Sequence, residues 1–175
     1  NNKVHLLNPK GLNRNGFPII ISNIQDIKLA TYPDNSQPRI LIISNNQLLN
    51  YDLQGHPVNG WNKPIFNTHI KSQIHVQTIN KKDYIYLSDS NDTLHIYNRK
   101  GDLKLKTYFD LTHKNNCAQL GQGQNPEHIK LLSFKNGYII NYFPETNTRD
   151  SVHIQHNIAT NSAYWVNKNK KNLLI

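Results

Sequence analysis

The sequence has one cysteine and no methionine among its 175 residues. Cys117 has no second cysteine to pair with, so an intramolecular disulfide is excluded. Its surroundings offer no activating base other than His113, and we therefore expect no catalytic thiol. Because no initiator methionine is present, we expect the chain to be a processed form or a piece of a longer gene product.

Long apolar runs are also missing. No stretch reaches the ~18 apolar residues that a membrane-spanning helix needs, and the first residues, NNKVHLL, lack the hydrophobic region of a signal peptide. The motifs G-x-S-x-G and H-E-x-x-H and the phosphate-binding P-loop do not occur. We predict no membrane span and find no signature of these enzyme classes.

Acidic residues are few: 11 Asp and Glu stand against 20 Lys and Arg, which gives a formal net charge of +9. A basic balance favours an anionic partner such as nucleic acid, a lipid surface or an acidic glycan. The basic residues are scattered, however, and the densest run, Lys168 to Lys171, is typical of a solvated turn. Much of the remaining polarity comes from Asn, which favours turns.

Short apolar runs separated by polar turns recur along the chain and predict β-hairpins. Such pairs are predicted at 40–44 with 48–52, at 84–88 with 94–98, and at 128–134 with 138–143. Helix is considered only for 22–29 and 110–120. Neither segment sustains the apolar spacing of an amphipathic helix, and the sequence therefore predicts an all-β protein.

These hairpins recur with a regular period. The last large residues before the outer turns are 44, 46 and 45 residues apart: Leu7, Tyr51, Tyr97 and Tyr142. Four residues after the first three of them comes a glycine: Gly11, Gly55 and Gly101. Two copies also carry a second glycine followed by an aromatic residue, Gly16-Phe17 and Gly60-Trp61. The fourth copy has Thr146 in place of the first glycine.

A period near 45 residues with about four short strands is typical of β-propeller blades, each of which hides two apolar faces against its neighbours. We predict a β-propeller segment of three to four four-stranded antiparallel blades, incomplete within this chain. The remaining blades would come from the same gene product or from another copy of the chain. One domain, 1–175, would contain units at 1–21 (partial), 22–65, 66–109, 110–156 and 157–175 (partial). A sandwich of unrelated hairpins is the alternative.

Two segments carry a resemblance to a known group of repeats. LLNYDLQGHPVNGW and KDYIYLSDSNDTLHIYNRKGD resemble blades of PQQ-like and FG-GAP-like bacterial propellers, over roughly residues 4–156. The resemblance is closest to repeats of large uncharacterised envelope proteins of Gram-negative bacteria, and it implies a periplasmic or envelope location. The loop at Asp34 has a single carboxylate, unlike calcium-binding FG-GAP loops, and no quinone-docking Trp motif is legible. We therefore predict no cofactor and no metal.

Aromatic residues are the best candidates for a binding site, because Tyr and Trp can line a groove for a sugar or a peptide. The candidates that we select are Trp61, Tyr108, Tyr164 and Trp165, and packing between blades is the alternative role. His5 and His95 occupy equivalent repeat positions and are predicted to pack rather than to bind metal. The long irregular segment 110–126 is the predicted contact surface.

The function favoured by these features is a non-enzymatic binding or scaffold module of the bacterial envelope that contacts protein or glycan through blade loops. The alternative is a propeller enzyme or redox module with a bound cofactor. A weaker alternative is non-specific nucleic-acid binding through the basic surface.

Overall fold

The computed structural model describes residues 2–34, 36–79, 81–108, 119–122, 129–135, 138–144, 146–153, 164–166 and 172–174. Fifteen strands and no helix occur in these ranges. Segment 22–29 therefore lies largely in a strand, as the all-β prediction requires. Of segment 110–120, only the start of a strand at residue 119 falls within the described residues. In order, the strands are β1 (Asn2–Val4), β2 (Ile19–Ile21), β3 (Ile24–Ala30), β4 (Arg39–Ser44), β5 (Gln47–Tyr51), β6 (His75–Ile79), β7 (Lys82–Ser88), β8 (Thr93–Asn98), β9 (Leu103–Tyr108), β10 (Gln119–Gln122), β11 (Ile129–Lys135), β12 (Tyr138–Phe143), β13 (Thr148–His153), β14 (Tyr164–Val166) and β15 (Asn172–Leu174).

All pairings between these strands are antiparallel and join neighbours in the sequence. They give five sheets: β1-β2, β3-β4-β5, β6-β7-β8-β9, β10-β11-β12-β13 and β14-β15. The chain divides into two compact units, Asn1–Asp110 and Leu111–Ile175. The first unit contains the sheets up to β9, and the second contains the other two. The all-β prediction is confirmed.

Strand β4 explains how the first unit is held together, because both of its faces are buried. Leu41 and Ile43 point into one cluster, where they meet side chains of β6–β8 such as Ile85 and Leu87. Ile40 and Ile42 point the other way, into a cluster with Val4 and Ile21 of the sheet β1-β2. Since side chains alternate across a strand, sheet β3-β4-β5 lies between two other sheets and packs on each.

A second repeated feature is the turn at the outer end of each copy, which we call the outer turn: Asn8–Gly11, Asp52–Gly55 and Asn98–Gly101. In each, the side-chain oxygen of the first residue accepts hydrogen bonds from the backbone N–H groups two and four residues later. The glycine N–H donates to the carbonyl of that first residue. Asn and Asp favour this local pairing, and the glycines have φ of 76–86°. The Asn or Asp three residues before glycine is thus part of the repeat.

The outer turns also connect successive copies. A Cβ built on Gly101 would lie 2.2 Å from the carbonyl oxygen of Asn62 and 3.1 Å from the Trp61 ring. Asn62 also hydrogen-bonds this turn, donating its backbone N–H to the Lys100 carbonyl and its side-chain amide to Asp102. The turn therefore admits only glycine at position 101 because the preceding copy lies directly against it.

The second unit contains a complete four-stranded sheet. Strand β12 lies between β11 and β13, and its pairing with β13 runs from Tyr138 opposite His153 to Phe143 opposite Thr148. The exposed strand β13 is the outer edge of this sheet. Strands β14 and β15 form a separate hairpin-like pair, with Tyr164 opposite Leu174 and Trp165 opposite Leu173.

We predict that Gly101→Ala destabilises the first unit more than Gly11→Ala does. Both changes force a positive φ on alanine, which costs about 1–2 kcal/mol, but only the Cβ at 101 collides with backbone, since nothing lies within 4 Å of a Cβ at Gly11. The additional cost at 101 is about 1–3 kcal/mol. Urea unfolding of the two variants, followed by Trp fluorescence, measures the difference. Equal losses of stability would contradict the contact between copies.

Candidate functional site

The four aromatic residues selected from the sequence fall in different surroundings. Trp61 is half-buried against the core cluster of β4 and β7, and its Nε1–H donates to the carbonyl oxygen of Leu48 at 3.0 Å. Tyr108 ends the edge strand β9 and is 69% exposed. Tyr164 and Trp165 lie in β14, in the second unit. No described contact joins Trp61 to Tyr108.

Other tyrosines of the repeats are core residues. Tyr84, Tyr86, Tyr97 and Tyr142 are each at most 8% exposed, and all four lie on inner strands of their sheets. Burial and the nearby Asp89 charge raise the pKa of Tyr97 to about 12. An inner strand alone does not ensure burial, since Tyr138 at the start of β12 is 42% exposed.

Asp89 and His95 form a buried pair that resembles catalytic arrangements but stabilises a turn. His95 Nε2 lies 3.0 Å from Asp89 Oδ2, and both side chains are less than 10% exposed. The Thr68 hydroxyl also donates to Oδ2, at 2.7 Å, while the backbone N–H groups of Asn91 and Thr93 donate to Oδ1. Burial opposes the Asp89 charge, but these hydrogen bonds outweigh it and hold its pKa well below the ordinary value.

His5, which occupies the same repeat position as His95, has different surroundings. It is exposed, and its Nδ1 lies 2.9 Å from Asn13 Oδ1. The expected packing role thus holds for His95 and not for His5, since the first copy leaves this strand position uncovered. Among the described residues, no three His, Cys, Asp or Glu side chains are grouped closely enough to hold a metal.

Arg99 has several partners inside the first unit. Its guanidinium lies over the Tyr32 ring, with Cζ 3.9 Å from the ring centroid, and Nη1 lies 2.7 Å from Asp34 Oδ2 and 3.3 Å from Asp83 Oδ2. Nη2 donates to the Ser36 hydroxyl. Hydrogen bonds from Ser36 and Arg99 lower the pKa of Asp34 to about 2. These contacts hold Asp34 and Ser36, which lie before β4, against Arg99 just after β8.

Arg39 is the contrasting case and defines the candidate site. It begins β4 and lines an open pocket of about 600 Å³ at the outer turn of the second copy. No hydrogen bond or ion pair of its guanidinium occurs among the described residues, and the side chain is half-buried. The other residues that line it are Asp52, His56, Pro57, Val58 and Asn59. Together with Arg39 they form what we call the Arg39 pocket.

The acidic group of the Arg39 pocket is already satisfied. Asp52 Oδ1 accepts hydrogen bonds from the N–H groups of Gln54 and His56, each at 2.9 Å, and Oδ2 lies 3.6 Å from His56 Nδ1. Burial opposes the Asp52 charge, but the two backbone hydrogen bonds and the nearby charges of His56 and Arg39 outweigh it and lower its pKa. The pocket therefore offers a guanidinium that has Asp52 as a nearby charge but no hydrogen bond or ion pair among the described residues, beside the apolar surface of Pro57 and Val58. Its chemistry suits a carboxylate on a short methylene stem.

Nothing in the sequence marked Arg39. The segment before it, Pro33 to Pro38, is rich in turn-forming residues, but the pocket arises only when the register of β4 and β5 sets Ile40 opposite Tyr51. That pairing places Arg39, at the start of β4, beside the outer turn Asp52–Gly55 that follows β5. The predicted contact segment 110–126 lies outside the described residues, apart from β10.

The comparisons with known proteins bear on the fold. No family model matches the chain, and no curated protein matches it. A solved structure of BBS1N, a β-propeller crystallised in complex with ARL6DN, matches with a TM-score of 0.54 and 12% sequence identity. The match covers 90% of this chain and 50% of the BBS1N chain. The chain thus has a β-propeller-like fold and spans half the length of that relative. Within the described ranges, no helix is long and apolar enough to cross a membrane.

We predict that Asp89→Asn lowers the free energy of unfolding by roughly 1–3 kcal/mol at pH 7, because charge-assisted hydrogen bonds in a buried cluster are lost. A carboxyl with a lowered pKa stabilises the fold above its ordinary pKa of about 3.9, and that contribution fades as the pH falls further. The difference in the free energy of unfolding between Asp89→Asn and the unchanged chain should therefore decrease below about pH 4.

Urea unfolding at pH 7 and pH 3 measures this gap. Asp150→Asn, at an exposed position of β13, makes the same change in charge outside the cluster and serves as the control. A gap that stays constant between the two pH values would contradict the role assigned to the Asp89 carboxylate.

Proposed function

We propose that this chain is a non-enzymatic binding or scaffold module of the bacterial envelope, built as a segment of three to four blades of a larger β-propeller. The envelope location comes from the resemblance of its repeats to those of Gram-negative envelope proteins. The match to half of BBS1N supports a partial propeller. The blade units 22–65 and 66–109 contain the sheets β3-β4-β5 and β6-β7-β8-β9.

The observation that carries the binding function is the guanidinium of Arg39, which lines its pocket and makes no hydrogen bond or ion pair among the described residues. Guanidinium recognises carboxylates through two parallel hydrogen bonds, and an interaction of a charged group with its partner contributes about 1.5–3 kcal/mol. The net charge of +9 draws acidic partners to the chain at long range. Pro57 and Val58 supply apolar surface for the stem of a glutamate side chain.

A protein is the partner that this arrangement favours. The pocket is shallow and open, and it lies on an outer turn, where loops of a rigid β scaffold are available for contact. BBS1N, which shares the fold, was itself crystallised with a protein, ARL6DN. We propose that an acidic side chain of a partner protein enters the Arg39 pocket, while neighbouring loops make the remaining contacts. An acidic glycan is the competing ligand, and the test below distinguishes the two.

We predict that Arg39→Gln weakens binding of a glutamate-rich peptide by about tenfold or more, as loss of one charge-assisted contact implies. The matched control is Arg14→Gln, which removes the same charge from an exposed position in the first copy and should change affinity less than twofold. Fluorescence titration of the chain with labelled glutamate-rich peptides and with heparin fragments measures both ligands at 150 mM salt.

If heparin binds through Arg39 and the peptide does not bind, the ligand of the pocket is an acidic glycan and not a protein. Equal losses in the two variants would reduce the interaction to general charge attraction, which salt screens. Unchanged affinity of Arg39→Gln for both ligands would exclude the Arg39 pocket as their binding site.

A further inference from the structure

The three outer turns are alike in their internal hydrogen bonds and differ in what covers them. A Cβ on Gly55 would meet the Gly16 carbonyl oxygen at 2.5 Å, and one on Gly101 would meet the Asn62 carbonyl oxygen at 2.2 Å. Around Gly11 nothing lies within 4 Å, although its φ of 76° matches theirs. One outer turn is therefore built as the others are and is left uncovered.

The covering chain comes from the corresponding stretch of the preceding copy in both cases. This stretch begins at the second glycine and its aromatic neighbour, Gly16-Phe17 or Gly60-Trp61, and we call it the docking segment. Gly16 and Ile19 lie against Gly55 of the second turn, whereas Trp61 and Asn62 lie against Gly101 of the third. Phe17 packs in the same cluster as Tyr51, and Trp61 packs on the cluster that contains Tyr97. Each docking segment thus shields both the glycine and the large residue that precedes the turn.

In the first copy, the apolar surface that a docking segment would cover is exposed to solvent. Leu7, equivalent to Tyr97, is 54% exposed, whereas Tyr97 is 6% exposed. Leu12, which follows the uncovered glycine, is 62% exposed, but its counterpart His56 after the covered Gly55 is exposed too, so the difference between the copies lies at Leu7 and Gly11. We call Leu7, Gly11 and Leu12 the first-turn face. Its counterparts in this molecule show what covers a face of this kind.

We propose that the first-turn face is the docking site of another repeat of the same type, which precedes Asn1 in the same polypeptide and presents a Gly-Phe or Gly-Trp docking segment. This inference deepens the proposed propeller segment by naming the surface that receives the next blade.

A second copy of the chain is the less suitable occupant. The sequence contains two glycines followed by Phe or Trp, Gly16 and Gly60, and Gly16 lies against the second outer turn while Trp61, which follows Gly60, lies against the third. A second copy would have no unused docking segment to offer. The repeat that covers the first-turn face must then lie outside these 175 residues.

The proposal fixes a position in the upstream sequence. Gly16 precedes Gly55 by 39 residues, and Gly60 precedes Gly101 by 41. By the same spacing, the glycine of the missing docking segment lies about 30 residues before Asn1, followed by Phe or Trp. A reading frame that begins at Asn1, or one without such a pair near that position, would overturn the proposal.

Hydrogen exchange followed by mass spectrometry tests the contact itself. We expect residues 7–12 to exchange at least tenfold more slowly in the complete natural polypeptide than in the 175-residue chain. Residues 97–102, whose docking segment is present in both, serve as the internal control and should exchange alike. Replacing the upstream glycine by Val and its aromatic neighbour by Ala should return residues 7–12 to fast exchange and leave 97–102 unchanged.

Equal exchange of residues 7–12 in the two proteins would overturn the proposal. So would protection in the 175-residue chain alone that increases with its concentration, because a second copy would then be the occupant. Arg39 takes no part in this experiment, so its outcome is independent of the peptide-binding test.

Discussion

The burial of β4 on both faces is the constraint on which the first unit depends. A sheet with one apolar face is complete once something packs on that face, but a sheet with Leu41 and Ile43 on one side and Ile40 and Ile42 on the other needs two neighbours. Burying side chains of this size stabilises a fold by about 1.5–3 kcal/mol each. Face-to-face stacking of successive sheets follows from that requirement, and the outer turns set how closely neighbouring copies approach.

Polar groups in this unit have two kinds of surroundings. Asp89 and Arg99 have several partners each, and their charges are used to fix a turn and a loop to the sheets beside them. Arg39 lies at the start of the most buried strand and has no such partner among the described residues. Arg39 and Arg99 are both half-buried, but only Arg99 has hydrogen-bonded partners, which distinguishes a group that holds the fold from one that is available to a ligand.

Much of the fold could be predicted from the sequence because strands and tight turns are encoded locally. The hairpin strands of β4-β5 and β7-β8 fall within about two residues of the predicted ones, since Asn45-Asn46 and the segment around Asp92 are strong turn formers. The site could not be predicted in this way. Trp61 is covered because its loop packs on the core cluster, and Tyr108 is exposed because it ends the edge strand β9. The Arg39 pocket depends on a strand register that brings the start of β4 to the turn after β5.

The covered glycines have a consequence for how this molecule loses its structure. In the first unit each sheet packs only on the sheets next to it, so its stability is close to a sum of individual sheets and of the junctions between adjacent ones, as in linear repeat arrays. Such a system melts from its least supported end rather than all at once. The sheet β1-β2 has two short strands and one junction, whereas β3-β4-β5 has two junctions, so β1-β2 would open before β3-β4-β5 as temperature or denaturant concentration rises.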